Sequence, residues 1–200
     1  MDLLLPLVTL LGLAFFTLKS QQQKQRIALL GKHLSRFDIE ALMEGLFTGY
    51  ARALGEAEPE RQAQVWTHLN PQEEKLAQQF EQFAKAFHDV WADDALISTL
   101  PVALPWAHKL FPSSTFDARH AMHAHAQGIV QAVASQSDVK KRAFALMAEM
   151  MLMQHTCHWF CRSKTVASAR LLARHNTPYA QVLDSVLPTT REAYLALINR

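Results

Sequence analysis

The chain has 200 residues, which is enough for one domain with a hydrophobic core of its own. Half of the residues are apolar and 19% are charged, a composition that excludes a disordered chain, and the formal net charge of +2 favours no particular class of partner. Two cysteines exclude a disulfide framework and fit a reducing compartment. Glycine and proline are scarce, and no segment alternates convincingly between apolar and polar residues, so we expect an all-α fold.

Sixteen uncharged residues, Leu3–Leu18, follow Met1 and Asp2. A bilayer core of about 30 Å needs about 20 helical residues, so the run is short, although Lys19 can reach the headgroups and lengthen it. A cleaved signal peptide would have a basic start and a small-residue cleavage site, and this run has neither. A buried core helix is possible at this length but usually carries a polar stripe. We therefore predict a membrane-anchor helix over residues 1–20, followed by a multi-helix bundle.

Residues 21–34 are predicted to form a basic juxtamembrane segment. The stretch 19–36 holds five basic residues and no acid, and these are candidates for contact with anionic lipid headgroups, above all Lys19, Lys24 and Arg26. Because the basic residues follow the apolar run, the positive-inside rule predicts an outward amino terminus and a cytoplasmic bulk. We expect a single-pass protein of the bacterial inner membrane.

The remaining residues, 35–200, are predicted to form a cytoplasmic helical bundle. Ser35 and Asp38 have capping-box spacing and would begin a helix that ends at Gly55. A shorter helix is expected to stop at Asn70 and Pro71, where a new helix begins. The new helix carries one apolar stripe with steps of three and four residues, which predicts core positions for Leu76, Phe80, Phe83, Phe87 and Val90.

Further along the chain, Ser114 is expected to begin another helix. Ser137 is expected to open the longest helix, from Asp138 to about His175, and the stretch 176–178 would end it and start a short one. A last amphipathic helix would close the chain. Between Ile97 and Ser114 three prolines predict an irregular connection.

This Pro-rich connection is the first candidate functional segment. Loops carried on a rigid scaffold often hold binding residues, and aromatic and apolar side chains are typical of protein interfaces. The connection could also pack onto the bundle or onto the membrane surface. The residues predicted to contact a protein partner are Trp106, His108, Leu110 and Phe111.

The second candidate is a cluster of histidines and cysteines in "QHTCHWFCRS", residues 154–163. One interpretation is that both cysteines are small buried apolar residues. The other joins them to histidines of the preceding helix in a tetrahedral zinc site made of His120, His123, Cys157 and Cys161. The haem-attachment order Cys-x-x-Cys-His is absent, and a b-type haem, which needs only axial ligands and an apolar pocket, stays open. We expect no cofactor, with zinc and haem as the alternatives.

No catalytic motif is present: the sequence lacks a Gly-rich phosphate loop, a Gly-x-Ser-x-Gly elbow and a His-Glu-x-x-His helix. Its basic residues are not accompanied by a nucleic-acid-binding motif, so nucleic acid is not an expected partner. The sequence predicts a non-catalytic accessory, scaffolding or assembly component of a membrane complex, with the membrane and a protein as partners. The alternative is a metal- or haem-binding bundle that uses the histidines and cysteines of the two long helices.

Overall fold

A computed structural model describes residues 4–135 and 138–199 of the chain. The fold is all-helical, as predicted. The longer helices are α1 (Leu4–Leu34), α2 (Ile39–Gly55), α3 (Pro59–His88), α6 (Ala118–Ala134), α7 (Val139–Cys161), α8 (Lys164–His175) and α10 (Pro188–Ile198). Shorter elements are α4 (Ala92–Ala95), β1 (Leu96–Ser98), α5 (Ala107–Leu110), a 3₁₀ turn (Pro112–Ser114), β2 (Thr115–Asp117) and α9 (Tyr179–Ser185).

The first helix runs without a break from the apolar segment into the basic one. The predicted anchor and juxtamembrane segment are therefore parts of one helix of 31 residues, about 46 Å long. Its second half packs on the bundle: Leu30 is buried, and the His33 ring meets the edge of Phe87 with ring centroids 5.6 Å apart. The segment predicted as basic and juxtamembrane, residues 21–34, thus also contributes apolar side chains to the bundle, where they pack against α3 and α7.

The first half of α1 makes no comparable contacts. Every side chain from Leu5 to Leu18 is exposed, with exposed fractions that reach 77% at Leu5. In the part of the chain that the structure describes, no helix combines the length and the apolar character needed to cross a membrane.

The second helix begins at Ile39, with Asp38 at its N-cap position. The predicted capping box is not formed. Instead, the Asp38 carboxylate pairs with Lys75 of α3 at 2.9 Å, and the Ser35 hydroxyl donates a hydrogen bond to the Lys32 carbonyl at 3.4 Å. The end of α2 at Gly55 is confirmed.

The third helix continues through Pro71, where the sequence predicted a break. Proline in a helix interior removes one backbone hydrogen bond and usually kinks the helix. Here the apolar residues before and after it, Trp66, Leu69 and Leu76, bury the same face of one helix against the bundle. The free energy gained by burying these side chains outweighs the cost of the backbone hydrogen bond lost at Pro71.

The connection after α4 contains a small element that the sequence analysis missed. β1 and β2 pair antiparallel, with Ile97 opposite Phe116 and both side chains buried. β2 occupies the residues where a helix was expected to begin at Ser114. The helix begins instead at Ala118, since Asp117 caps it by accepting a hydrogen bond from the Arg119 amide at 2.8 Å.

The predicted long helix from Asp138 to His175 is two helices. Asp138 caps α7 by accepting hydrogen bonds from the Lys140 and Lys141 amides, while Ser137 lies outside the described residues. The chain then leaves the helical conformation at Arg162. Ser163 caps α8 by accepting a hydrogen bond from the Val166 amide. The sequence did not reveal this helix start, because the helical spacing of apolar residues continues through Ser163 without a break. The predicted end near residues 176–178 is confirmed, with Asn176 in the left-handed conformation at φ 49°.

The core lies where α3 packs between α2 and α6, and where α6 packs against α7. All five predicted stripe positions are buried, four of them in α3 and Val90 just after its end, which confirms their prediction as core residues. The apolar residues of α7 also lie along one face of their helix, and Leu146, Met150 and Phe160 are fully buried. These helices form the rigid body on which α1 and the Pro-rich connection are carried.

Gly128 marks the closest approach of α6 to its neighbours. A Cβ at this position would lie 2.3 Å from the Thr190 hydroxyl and 2.5 Å from the Glu149 carboxylate, both buried. We expect Gly128→Ala to destabilise the fold by about 1–3 kcal/mol through overpacking, although alanine is the better helix former. Chemical denaturation measures this. The control is Gly31→Ala, where the new methyl meets open space and should stabilise by about 0.5–1 kcal/mol; equal effects at both sites would contradict the predicted clash.

Candidate contact surface at the base of the first helix

Arg26 joins α1 to the bundle. Its guanidinium donates hydrogen bonds to the Phe160 carbonyl at 3.1 Å and to the Leu96 carbonyl at 2.6 Å, and it lies over the Phe160 ring at 5.3 Å from the centroid. Phe160 is in the last turn of α7, where the helix dipole favours a cation. Burial lowers the pKa of Arg26, and the nearby Cys161 and Asp94 oppose that effect. Arg26 thus connects three elements, α1, α7 and β1.

The Pro-rich connection lies beside the same stretch of α1. The Trp106 amide donates to the Gln22 side-chain carbonyl at 3.3 Å. On the other side, the Thr165 hydroxyl donates to the Pro101 carbonyl at 2.6 Å, and the Trp159 indole donates to the Ser98 carbonyl at 2.9 Å. The connection is therefore held between α1, the end of α7 and the start of α8.

Trp106 is the unusual residue of this connection. Its backbone is in the left-handed region, at φ 53° and ψ 29°, and its side chain is 48% exposed. This conformation costs a residue with a Cβ about 1–2 kcal/mol, and for a bulky side chain it is rare. Backbone strain of this kind persists at positions that the surrounding structure constrains, and such positions are often functional.

The exposed apolar side chains of the connection form one candidate surface, which we call the ridge: Val102, Trp106, Leu110 and Phe111, with exposed fractions of 55%, 48%, 65% and 44%. Three of the four residues predicted to contact a partner belong to it. The fourth, His108, is half-buried and lines an open cleft of about 540 Å³ between α1 and the connection. Burial lowers the pKa of His108, and the Arg26 charge lowers it further, so both favour a neutral ring.

The residues predicted to meet lipid headgroups differ in position. Lys24 is exposed, Lys19 is half-buried, and Lys19 and Arg26 line a small cavity that also contains Cys161 and Arg162. Arg26 already donates through Nη1 and Nη2 to two backbone carbonyls, which would compete with contact to a headgroup. Lys19 and Lys24 keep their ammonium groups without such bonds to the bundle among the described contacts.

The four residues of the predicted zinc site do not come together. His120 and His123 are exposed on α6 and line a groove towards α10, whereas Cys161 lies at the α1 junction and the Cys157 thiol contacts the Met153 sulfur at 3.5 Å. In the described ranges, no three or more His, Cys, Asp or Glu side chains are arranged to hold a metal ion. Burial raises the pKa of the Cys161 thiol to about 11 and raises that of Cys157 as well, so both are protonated thiols at neutral pH.

Comparison with known proteins adds no assignment to this geometry. No protein-family model, curated protein or solved structure matches the chain. The function must therefore be argued from the residues.

A buried polar cluster is the feature that sequence reasoning missed. The His125 ring is hydrogen-bonded to the Thr156 hydroxyl at 2.9 Å, and that hydroxyl lies 3.1 Å from the Tyr194 hydroxyl. The His155 ring is bonded to the Ser168 hydroxyl at 3.0 Å and stacks on Tyr179. Burial lowers the pKa of each histidine to about 3, so both rings are neutral at physiological pH and serve packing.

Glu149 belongs to the same interior. It is fully buried, and its carboxylate accepts a hydrogen bond from the Leu187 amide at 3.0 Å. Burial raises its pKa to about 7. A signal was available in the sequence: Glu149 lies three residues after Leu146 and four before Met153, on the core face of α7. Glu149 and the two histidines lie in the core, whereas the ridge presents exposed apolar and aromatic groups suited to binding.

Proposed function

We propose that this chain is a single-pass membrane protein whose helical bundle acts without catalysis, as an accessory, scaffolding or assembly component of a membrane complex. One observation carries the proposal. The apolar first half of α1 projects from the bundle with all its side chains exposed, while the second half of the same helix is packed. Exposed apolar surface of this extent marks a site of contact with a membrane or a protein.

Insertion into lipid accounts for the pattern better than lying flat on its surface. Apolar residues follow one another around the whole helix, for example at Leu10, Leu11, Leu13 and Phe15. A helix that lies in the plane of the headgroups has one apolar face and one strongly polar face. A helix that is apolar all round is surrounded by apolar groups. The short run would be completed by the residues that flank it, with Lys19 extended towards the headgroups.

The charges support one orientation. Lys19, Lys24 and Arg26 all follow the apolar run, so the positive-inside rule favours a bundle on the cytoplasmic side of a bacterial inner membrane. Because α1 continues into the bundle without a linker, the bundle would be held at a set distance and angle from the bilayer. A protein held in this way, with a ridge of exposed apolar side chains and no catalytic set among the described residues, is suited to organising other components.

The test is fractionation of the full chain. Leu10→Lys combined with Leu11→Lys should move the protein from the carbonate-resistant membrane fraction to the soluble one, because each lysine at mid-bilayer costs about 2.5–3.5 kcal/mol on insertion. The matched control places the same two charges further along the helix, at the exposed Ile27 and Ala28. A wild-type chain recovered in the soluble fraction would contradict the proposal. The accessory role further predicts a stoichiometric partner after gentle detergent extraction, and a chain that elutes alone would count against that role.

A further inference from the structure

We infer that the ridge docks into the headgroup region of the bilayer beside α1, so that the bundle rests on the membrane surface. The inference rests on the proposed membrane attachment and names the partner of the ridge as a lipid surface. It is carried by three observations: the position of Trp106 along α1, the charges around it, and the strained backbone of a residue that stays half exposed.

The position follows from the continuity of α1. Leu18 is the last residue of the exposed apolar run, and Gln22 follows four residues later, about 6 Å along the helix axis. The Trp106 amide is bonded to the Gln22 side chain at 3.3 Å. A headgroup layer is about 5–8 Å thick on each side of the hydrocarbon core. Trp106 would therefore lie at headgroup depth whenever the apolar run is in the core.

The chemistry of the ridge suits that depth. Tryptophan is enriched at membrane–water interfaces, where its apolar ring and polar N–H face different surroundings. Leu110 and Phe111 are exposed on the same short segment, and Lys109 lies between Trp106 and these two residues in the sequence. Lys19 and Arg162 line the neighbouring cavity. Such cations favour anionic headgroups.

The two cavities beside the ridge differ in charge. Asp93 and Asp94 line the open cleft together with Trp106, Lys109 and Arg26, so that cleft holds both signs. The Asp94 charge also acts on Arg26. The small cavity that begins at Lys19, directly after the apolar run, is lined by Lys19, Arg26 and Arg162 and, among the described residues, by no acidic one. The basic cavity next to the apolar run favours an anionic lipid surface.

The backbone conformation of Trp106 supports a role outside the bundle. Trp106 adopts the left-handed conformation although it is not buried in the core, since about half of the residue stays exposed. A bilayer would cover this ring, together with Leu110 and Phe111. A second copy of the chain or another protein could also cover it, and the experiment separates these cases.

The experiment uses the full chain reconstituted into phosphatidylcholine–phosphatidylglycerol vesicles whose lipids carry bromine high on the acyl chains. α1 contains no tryptophan, so quenching by bromine reports on the bundle alone. We expect Trp106→Phe to remove most of the quenchable emission. The matched control is Trp91→Phe, which removes an even more exposed tryptophan, 75% exposed, that lies outside the ridge and close in sequence to Asp93 and Asp94. It should leave most of the quenching.

A second variant guards against a folding defect. Trp106→Gly permits the left-handed conformation without strain, so it should keep the thermal midpoint in detergent and still lose the quenching. Flotation of the vesicles is measured first. A chain that does not float overturns both the proposed attachment and this inference. A chain that floats while its Trp106 is quenched by aqueous acrylamide and not by bromine overturns the inference alone. A Trp106 shielded from both quenchers also overturns it, since a protein or a second copy would then cover the ridge.

Discussion

Replacing Glu149 by glutamine should raise the free energy of unfolding more at pH 8 than at pH 4.5. The difference between the two pH values should be about 3 kcal/mol. Glutamine keeps the shape of the side chain and can still accept the hydrogen bond from the Leu187 amide, but it cannot ionise. The wild-type carboxyl is fully buried, and its pKa rises from 4.5 to about 7 because burial disfavours the charged form. The substitution therefore removes a cost that grows with pH.

The sign follows from proton linkage. Below pH 4.5 the carboxyl is protonated in both the folded and the unfolded chain, so it costs nothing. Between pH 4.5 and about 7 the unfolded chain loses this proton while the folded chain keeps it, and stability falls by about 1.4 kcal/mol per pH unit. Above pH 7 the loss is complete.

The measurement is the free energy of unfolding from denaturant titrations of Glu149→Gln and wild type at pH 4.5 and pH 8. His125 and His155 titrate alike in both proteins, so their effect cancels in the difference. Glu192→Gln, at an exposed position of α10, controls for the loss of one carboxyl charge. A stability difference between Glu149→Gln and wild type that is the same at both pH values would contradict the assignment of a raised pKa to Glu149.

Arg26→Met should destabilise the folded chain by about 2–5 kcal/mol. Methionine fills similar space along the helix, but the carbonyls of Phe160 and Leu96 lose the donors that Arg26 gives them, at about 1–3 kcal/mol for each unsatisfied buried group. The contact of the cation with the Phe160 ring is lost as well. Arg26→Lys keeps the charge without the two-pronged geometry and should fall between wild type and methionine.

The effect should be concentrated where α1 meets the bundle. Denaturant titration in detergent gives the loss of stability, and limited proteolysis between Ser20 and Leu34 reports whether the helix detaches. Lys24→Met is the matched control, since Lys24 lies on the same helix two residues away with its side chain exposed. If Arg26→Met matched Lys24→Met in both measurements, Arg26 would not be the link between α1 and the bundle.

The features predicted correctly from the sequence are those set by residues close together along the chain. The stripe of Leu76, Phe80 and Phe83 identifies a core helix because residues three and four apart share one face of a helix. The end of α2 at Gly55 and the end of α8 near Asn176 follow from residues that favour a helix C-terminus. Trp106, Leu110 and Phe111 were singled out through the prolines and aromatic side chains of the connection; all three are exposed, and their contact with a partner stays a prediction.

Boundaries within helical stretches were decided by contacts between distant residues. Pro71 predicts a break, but burial on both sides of it keeps α3 continuous. Ser163 lies inside an unbroken helical pattern, yet it caps a new helix where the chain meets the connection through Pro101. β1 and β2 are three residues each, too short for a repeating pattern, and they form because residues far apart in sequence pair there, with the Ile97 and Phe116 side chains buried in the core.

By itself, therefore, the sequence determined the helical class, the core faces of the main helices and the exposed apolar run at the start of the chain, since each is set by the spacing of neighbouring residues. Only the tertiary structure decided that Arg26 bonds to carbonyls 70 and 134 residues away, that Glu149 is fully buried, and that His120 and His123 line a groove towards α10 and do not meet Cys157 and Cys161. The partner of a polar group depends on which helices meet, and that depends on the packing of the whole chain.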